Sequence, residues 1–349
     1  MARRARARMR GARLFLAVVL ASACAHGREA ASPSGGEGPL VASDTAFVLI
    51  ADSIVPEAIA IHRGTLLVGS IARQRVFRAE QSTGRPGTLR AWSPPLGGAV
   101  LGLEVDTARG VLWAAVEPPA GRGSGALVAL RLDDGSVAES SPIPLEGMHL
   151  PNDLEVAPDG TIYLTDTDGG VVWLRAPGSS ELTIAFGRTA GRTHPNGVAL
   201  SPDGQTIYIA YDEGIAVGRT DDARLHMLEA PPGVALGGID GLYLAGDALV
   251  GIQNAIGVPR LVRLSLSGDG RTVERATTLE RRHPAHEVPT TGALLGEDLL
   301  YLANSQLGRW QGGRAIGDTV VVLRLPLPRP VIGPRDRRGR RPRMPRSSD

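Results

Sequence analysis

The chain contains no lysine, and all 38 basic residues are arginine, a compositional habit of the source genome rather than a functional signal. It has one cysteine, Cys24, so no intramolecular disulfide can form. Only 4% of the 349 residues are aromatic, and no apolar run is long enough to cross a bilayer as a helix. The 45 glycines and 26 prolines follow no G-X-Y period, which excludes collagen and favours a turn-rich fold. At 42% hydrophobic, the chain is too apolar for intrinsic disorder. The formal net charge of +2 is a sum of unlike parts. Residues 1–23 carry six Arg and no acid, and residues 329–349 carry eight Arg and two Asp. Removing +6 and +6 from +2 leaves −10 for residues 24–328. An acidic body argues against a nucleic-acid partner.

The basic segment Arg3, Arg4, Arg6, Arg8, Arg10 and Arg13 precedes the mostly apolar run Leu14–Ala23. This is the layout of an export signal over residues 1–23. It ends in Leu20-Ala21-Ser22-Ala23-Cys24, which resembles the lipobox of bacterial lipoproteins. The resemblance implies lipidation at Cys24, membrane attachment through that lipid, and a location at the outer membrane or periplasmic face. The alternative is an ordinary signal peptide with an incidental cysteine. Residues 24–44 then form a tether rich in Ser, Gly and Pro, residues 45–328 the folded body, and 329–349 a basic disordered tail.

Within the body one pattern recurs six times. Glu57-Ala58-Ile59-Ala60-Ile61, Leu101-Gly102-Leu103-Glu104-Val105 and Asn152-Asp153-Leu154-Glu155-Val156 are the first three copies. Asn196-Gly197-Val198-Ala199-Leu200, Asp240-Gly241-Leu242-Tyr243-Leu244 and Thr291-Gly292-Ala293-Leu294-Leu295 follow. The first residues lie 44, 51, 44, 44 and 51 positions apart. Alternating apolar residues predict a strand, a turn such as Asp159-Gly160 or Asp203-Gly204 predicts a hairpin, and a second apolar run predicts the return strand. A repeat of this length, with room for four short strands, predicts an all-β, six-bladed β-propeller. Pairing of Thr45–Ile50 with Thr319–Leu325 is expected to close the ring.

In a propeller, equivalent positions of the innermost strands converge on one axis. The first residues of the repeats are Glu57, Leu101, Asn152, Asn196, Asp240 and Thr291, and four of them offer a carboxylate or amide oxygen. Two carboxylates about 5 Å apart repel by roughly 3 kcal/mol at an effective dielectric near 20. Together with two amides they suit a hard cation, Ca²⁺ or another divalent ion, with Glu57, Asn152, Asn196 and Asp240 as ligands. Zinc is disfavoured because no Cys or His stands in the column. The competing account is that Asn-Asp and Asn-Gly merely start strands. It explains Asn196 but neither Glu57 nor Asp240 in register with it.

Pro56-Glu57-Ala58-Ile59-Ala60, Leu150-Pro151-Asn152-Asp153-Leu154, Pro195-Asn196-Gly197 with Ser201-Pro202-Asp203-Gly204, and Ile239-Asp240-Gly241-Leu242 resemble the senescence marker protein-30/gluconolactonase family. The likeness runs over about 45–328. It implies a six-bladed, calcium-dependent propeller, metal ligation by Glu57, Asn196 and Asp240, and a role for Asn152 in metal or substrate contact. It also implies Asp240 as base or nucleophile. Sugar-lactonase members commonly carry Arg two residues before the blade-three Asn; here that residue is Leu150, which puts a sugar lactone in doubt.

These observations predict hydrolysis of a lactone or related ester of a small molecule, with Asp240 catalytic. The alternative is a lipid-anchored binding propeller with a structural Ca²⁺; a strictosidine-synthase-like propeller is a third reading, weakened because it requires no such quartet. His149, His194, Gln253, Asn254 and Asn304 are the candidate substrate-binding residues. His283, His286, Tyr211, Asp212 and Gln306 are further polar candidates, and turn chemistry accounts equally well for Asp166 and Asp168.

Overall fold

The computed structural model describes residues 38–328 apart from 83–84, 119–124, 145–146, 312–313 and 316–318. The expected signal segment, Cys24 and the basic tail lie outside the described residues. Apart from one short 3-10 turn, every regular element described is a strand. β1 (Asp44–Ile50) comes first, and four-stranded antiparallel sheets follow in order. β2 (Pro56–His62), β3 (Thr65–Ser70), β4 (Arg75–Ser82) and β5 (Arg85–Ala91) form blade one, whose outer strand β5 also pairs in parallel with β1 and so joins this blade to the last sheet. β6 (Ala99–Asp106), β7 (Val111–Glu117), β8 (Ala126–Arg131) and β9 (Val137–Pro142) form blade two. β10 (Pro151–Val156), β11 (Ile162–Asp166), β12 (Val171–Arg175) and β13 (Leu182–Phe186) form blade three. β14 (Val198–Leu200), β15 (Thr206–Tyr211), β16 (Gly214–Arg219) and β17 (Leu225–Met227) form blade four. Blade five is β18 (Ile239–Ala245), β19 (Ala248–Gln253), β20 (Arg260–Leu266) and β21 (Val273–Arg281). The last sheet takes β22 (Gly292–Leu295) and β23 (Asp298–Leu302). A two-residue pair, β24 (Trp310–Gln311) and β25 (Arg314–Ala315), stands before β26 (Thr319–Pro326). β26 pairs with β23 on one side and with β1 on the other, Ile50 opposite Thr319 and Asp44 opposite Arg324. The chain's two ends thus complete one sheet, as the sequence pattern predicts.

The period-2 segments become inner strands because both faces of each blade are covered by neighbouring blades. Trp113, Ala115 and Leu127 of blade two pack on Leu154, Ile162 and Trp173 of blade three. Tyr208 and Val217 of blade four pack on Leu242, Leu249 and Val262 of blade five. The return strands are the most enclosed: all five residues of β11 and all six of β19 are buried. Each fully buried Leu or Ile contributes roughly 1.5–3 kcal/mol, so the ring is held by inter-blade burial.

The inner strands share one irregularity. In blades one, two, three and five the ladder to the return strand breaks register between Pro56 and Ile59, Val100 and Gly102, Pro151 and Leu154, and Ile239 and Leu242. Those intervals contain Glu57, Leu101, Asn152 and Asp240. A bulge adds a residue to one strand and re-aims its side chain, so the repeat's first residue turns out of the sheet face toward the axis. In blades four and six the inner strand begins only after Asn196 and Thr291.

The residue after the column position is glycine in four blades, and in blades two and four the neighbouring blade explains it. A Cβ on Gly102 would lie 2.3 Å from the carbonyl oxygen of Asn152, and one on Gly197 would lie 2.3 Å from that of Asp240. The backbone of one blade therefore nests on the glycine of the preceding blade. Hydrogen bonds complete the ring: Val198 N–H donates to Asp153, and Gly241 N–H donates to the Thr290 carbonyl. The Thr291 hydroxyl donates to the Glu57 carbonyl at 2.6 Å.

A separate clamp fixes the N-terminal stretch. Buried Glu280 accepts the backbone N–H groups of Ala42 (2.9 Å) and Ser43 (2.6 Å) and the Tyr301 hydroxyl. Burial alone would raise its carboxyl, but hydrogen bonds from His286, Tyr301 and the two amides hold it at about 2 against an ordinary 4.5.

Two outcomes are expected. Gly102→Ala should lower stability by about 1–3 kcal/mol through overpacking, read by urea denaturation. For Glu280 the folded-state value is depressed, so its stabilisation is complete above about 4.5 and is lost as the pH falls toward about 2. Glu280→Gln should therefore lower the melting temperature at pH 7, and its deficit against the parent protein should shrink from pH 4.5 downward.

Candidate active site at the channel mouth

The bulges at Glu57, Asn152 and Asp240, and the strand start after Asn196, bring the oxygen-bearing column residues to one end of the channel. Glu57 is buried, and its Oε2 has no hydrogen-bond partner. Burial pushes its carboxyl well above the ordinary range, and the Asp240 charge pushes it further. Asp240 Oδ2 accepts the Asn254 amide at 2.6 Å, and the Asn196 side chain hydrogen-bonds the same carboxylate. Burial raises Asp240 to about 6, with both amides opposing the rise. The Asn196 bond uses its NH₂ group, and its Oδ1 is buried without a partner. Asn152 is buried and donates to the Thr167 hydroxyl at 3.0 Å, which leaves its carbonyl oxygen as the group it can offer. Two orphaned oxygens and two crowded carboxylates form a site short of positive charge. Among the described residues no three His, Cys, Asp or Glu side chains converge to hold a metal. Cation binding in this column therefore requires the amide oxygens.

A second acidic tier, which the sequence reading did not single out, lies beneath. Burial raises Asp153 to about 7, and the Asp240 charge adds to it against the Val198 and Leu154 amide bonds. Burial, then Asp153 and Asp106, take Glu104 to about 8. Burial, then Glu104 and Asp153, raise Glu155. The signal was present as a contrast: Glu104 and Glu155 occupy the fourth repeat position in blades two and three, where the other blades carry Ala, Tyr or Leu, and Asp153 stands at the second position, where the other blades carry Gly or Ala.

The histidines are held by aspartates. His149 Nδ1 meets Asp166 Oδ2 at 2.5 Å, and its Nε2 is buried and unpartnered. Asp166 is fully buried and accepts the N–H groups of Leu150 (2.9 Å) and Gly169 (2.8 Å) and Trp173 Nε1–H (3.0 Å). It is an anchor for the loop before β10 as well as a turn residue, and Thr167 beside it holds Asn152. His194 Nδ1 meets Asp212 at 2.7 Å on a more open part of the rim, with its backbone at φ +53°. Asp168 feels both imidazoles; burial and Asp166 raise its carboxyl while the two histidines oppose them.

The remaining candidates divide. Asn254 belongs to the site through Asp240 and also donates to the Pro289 carbonyl. Gln253 is wholly enclosed; its amide donates to the carbonyls of Ala235 and Gly237 and accepts Arg260, so it braces a loop. Asn304 donates to the Thr319 carbonyl and accepts Val321 N–H, so its amide fastens the start of β26. The structure thus gives both a bracing role in place of the substrate contact expected of them, because a side chain at a strand end can turn back onto the backbone. Gln306 likewise donates to Thr319, and His286 joins the Tyr301–Glu280 network. Arg192 lies over the Tyr211 ring. Thr290 and Thr291 both donate to the Glu57 carbonyl, which sets the first column residue. A cavity of about 500 Å³ beside blade one, lined by Asp52, Arg73, Gln74 and Phe77 among others, includes none of the column residues.

Residues 138–174, spanning the end of blade two and most of blade three, match the family described as strictosidine synthase-like, N-terminal. The local match is thus to the third reading of the sequence. No curated protein sequence matches the chain. Solved propeller structures match nearly its whole described length. A gluconolactonase from Xanthomonas campestris is 18% identical over 85% of this chain and 99% of its own, with a TM-score of 0.56. The PQQ-bound aldose sugar dehydrogenase from Streptomyces coelicolor is 16% identical over 83% and 99%, at 0.57. Virginiamycin B lyase from Staphylococcus aureus is 15% identical over 78% and 96%, at 0.54. Likeness at this level establishes the β-propeller fold.

Removing the Asp166 carboxylate should disturb the rim more than removing either histidine. Asp166→Ala leaves three buried donors unpaired, at about 1–3 kcal/mol each. A loss of at least about 3 kcal/mol in urea denaturation is expected, against a smaller loss for His194→Ala on the open rim.

Proposed function

We propose that this protein is a metal-dependent hydrolase of a lactone or related ester acting at the channel mouth. The observation that carries the reading is the pair of buried, unpartnered oxygens, Glu57 Oε2 and Asn196 Oδ1, set around Asp240. An orphaned buried acceptor costs free energy unless a ligand satisfies it. Glu57, Asn152, Asn196 and Asp240 would hold the cation, and their all-oxygen character favours Ca²⁺. When bound, such an ion supplies polarisation of the substrate carbonyl. Asp240, aimed by Asn254 and Asn196, takes the proton of the attacking water. His149, oriented by Asp166, and His194, oriented by Asp212, border the polar side of the mouth and are placed to bind polar substrate atoms. The likeness to a gluconolactonase fold supports this reading. The lipobox-like Leu20–Cys24 supports an exported, membrane-tethered setting for the activity.

Two measurements decide between hydrolase and binding module. With Ca²⁺ the protein should melt higher than with chelator and should cleave members of a lactone and aryl-ester panel only when Ca²⁺ is present. Asp240→Asn should remain folded and lose at least about 100-fold in kcat. Stabilisation by Ca²⁺ with no cleavage across the panel would favour the binding module, and full activity in Asp240→Asn would remove the mechanism.

A further inference from the structure

One column position offers no oxygen, and its surroundings show what faces the substrate there. Leu101 sits in the register break of blade two, as Glu57, Asn152 and Asp240 sit in theirs. It packs with Ala99 and with Leu150, the residue just before β10, and Ile71 lies against this cluster. Ile71 directly follows β3 and donates its N–H to the Val55 carbonyl just before β2. Ile71 also belongs to a second cluster with Val55, Leu307, Val288 and Trp310. These residues stand where inner strands begin or return strands end, which is the end of the channel that carries the column. Apolar side chains therefore line the mouth from blade six past blade one to the start of blade three, with Glu57 the one charged column residue among them. Asn152, Asn196, Asp240 and Asn254 occupy the arc from blade three to blade five. Ile71, Val288 and Trp310 are only partly buried, so this wall presents surface at the mouth.

We propose that the substrate is a lactone or ester whose body is hydrocarbon, with its carbonyl toward the amide and carboxylate arc and its alkyl portion on the Leu101–Leu150–Ile71 wall. This rests on the hydrolase reading above. A polyhydroxylated lactone carries hydroxyls around its ring, and those turned toward this wall would exchange water for groups that neither donate nor accept. An alkyl chain loses nothing there and gains burial with each carbon.

The test is a kcat/KM series on the full-length protein with Ca²⁺, using γ-butyrolactone, γ-octalactone, γ-decalactone and glucono-δ-lactone. A rise of roughly fourfold per added methylene is expected until the wall is covered. Glucono-δ-lactone should fall at least about tenfold below γ-octalactone. Leu101→Asn and Leu150→Ser should flatten the ratio of long to short lactone; if neither variant folds, the parent series decides alone. A preference for glucono-δ-lactone, or no dependence on chain length, overturns this inference and leaves the hydrolase reading standing. If neither these lactones nor aryl esters are cleaved the hydrolase reading falls, and titration calorimetry then judges the wall. Binding of γ-decalactone but not glucono-δ-lactone supports it, and binding of neither overturns it.

Discussion

The register break at the start of the inner strands is the constraint on which the site depends. A regular strand alternates its side chains between the two faces of its sheet, and in a propeller both faces are buried against other blades. Without the break, Glu57, Asn152 and Asp240 would be driven into apolar packing, where an ionised carboxylate is too costly to keep. With it, the same residues leave the sheet face and meet across the axis. The glycines that follow in blades two and four belong to the same device, since they let the next blade's backbone come close enough to bring the column together.

The concentration of buried acid follows from that geometry. Six strand starts converge, and whatever the repeats carry at their first, second and fourth positions is pooled in one narrow space. Blades two and three add Glu104, Asp153 and Glu155 to a column that already holds Glu57 and Asp240. Their raised carboxyls record the mutual repulsion and the loss of water. Backbone N–H groups on Asp153 and side-chain amides on Asp240 take up part of this charge. They leave two oxygens at the mouth with no partner, which is where an external cation has most to gain.

Much of this was legible in the sequence because it is periodic. Alternating residues, paired turn residues and a spacing of 44 or 51 identify blades without any contact being known, and β1 could be matched to β26 by elimination. The bulges were not legible, since one extra residue in a strand leaves the hydrophobic pattern on either side intact. Gln253 and Asn304 show a second limit. Position at a strand end brings a side chain near the mouth but does not say whether it faces the opening or folds back on its own loop, and both fold back. Asp166 shows the reverse error. Asp166-Thr167-Asp168-Gly169 reads as a turn, and only the three-dimensional arrangement shows its carboxylate gathering His149, Trp173 and two backbone amides from separate parts of the chain.

The sharing of one sheet by the two ends of the body governs how the molecule is made. β26 has β23 on one flank, but its other flank is filled by β1, some 275 residues earlier in the chain. A contact of such long range is among the last to form, because its loop must close before any reward is felt. Until then one edge of the final sheet stays open and able to recruit a foreign strand. A chain made from its N-terminus keeps β1 waiting until β26 has emerged, so biogenesis rather than native stability is where this architecture is most exposed.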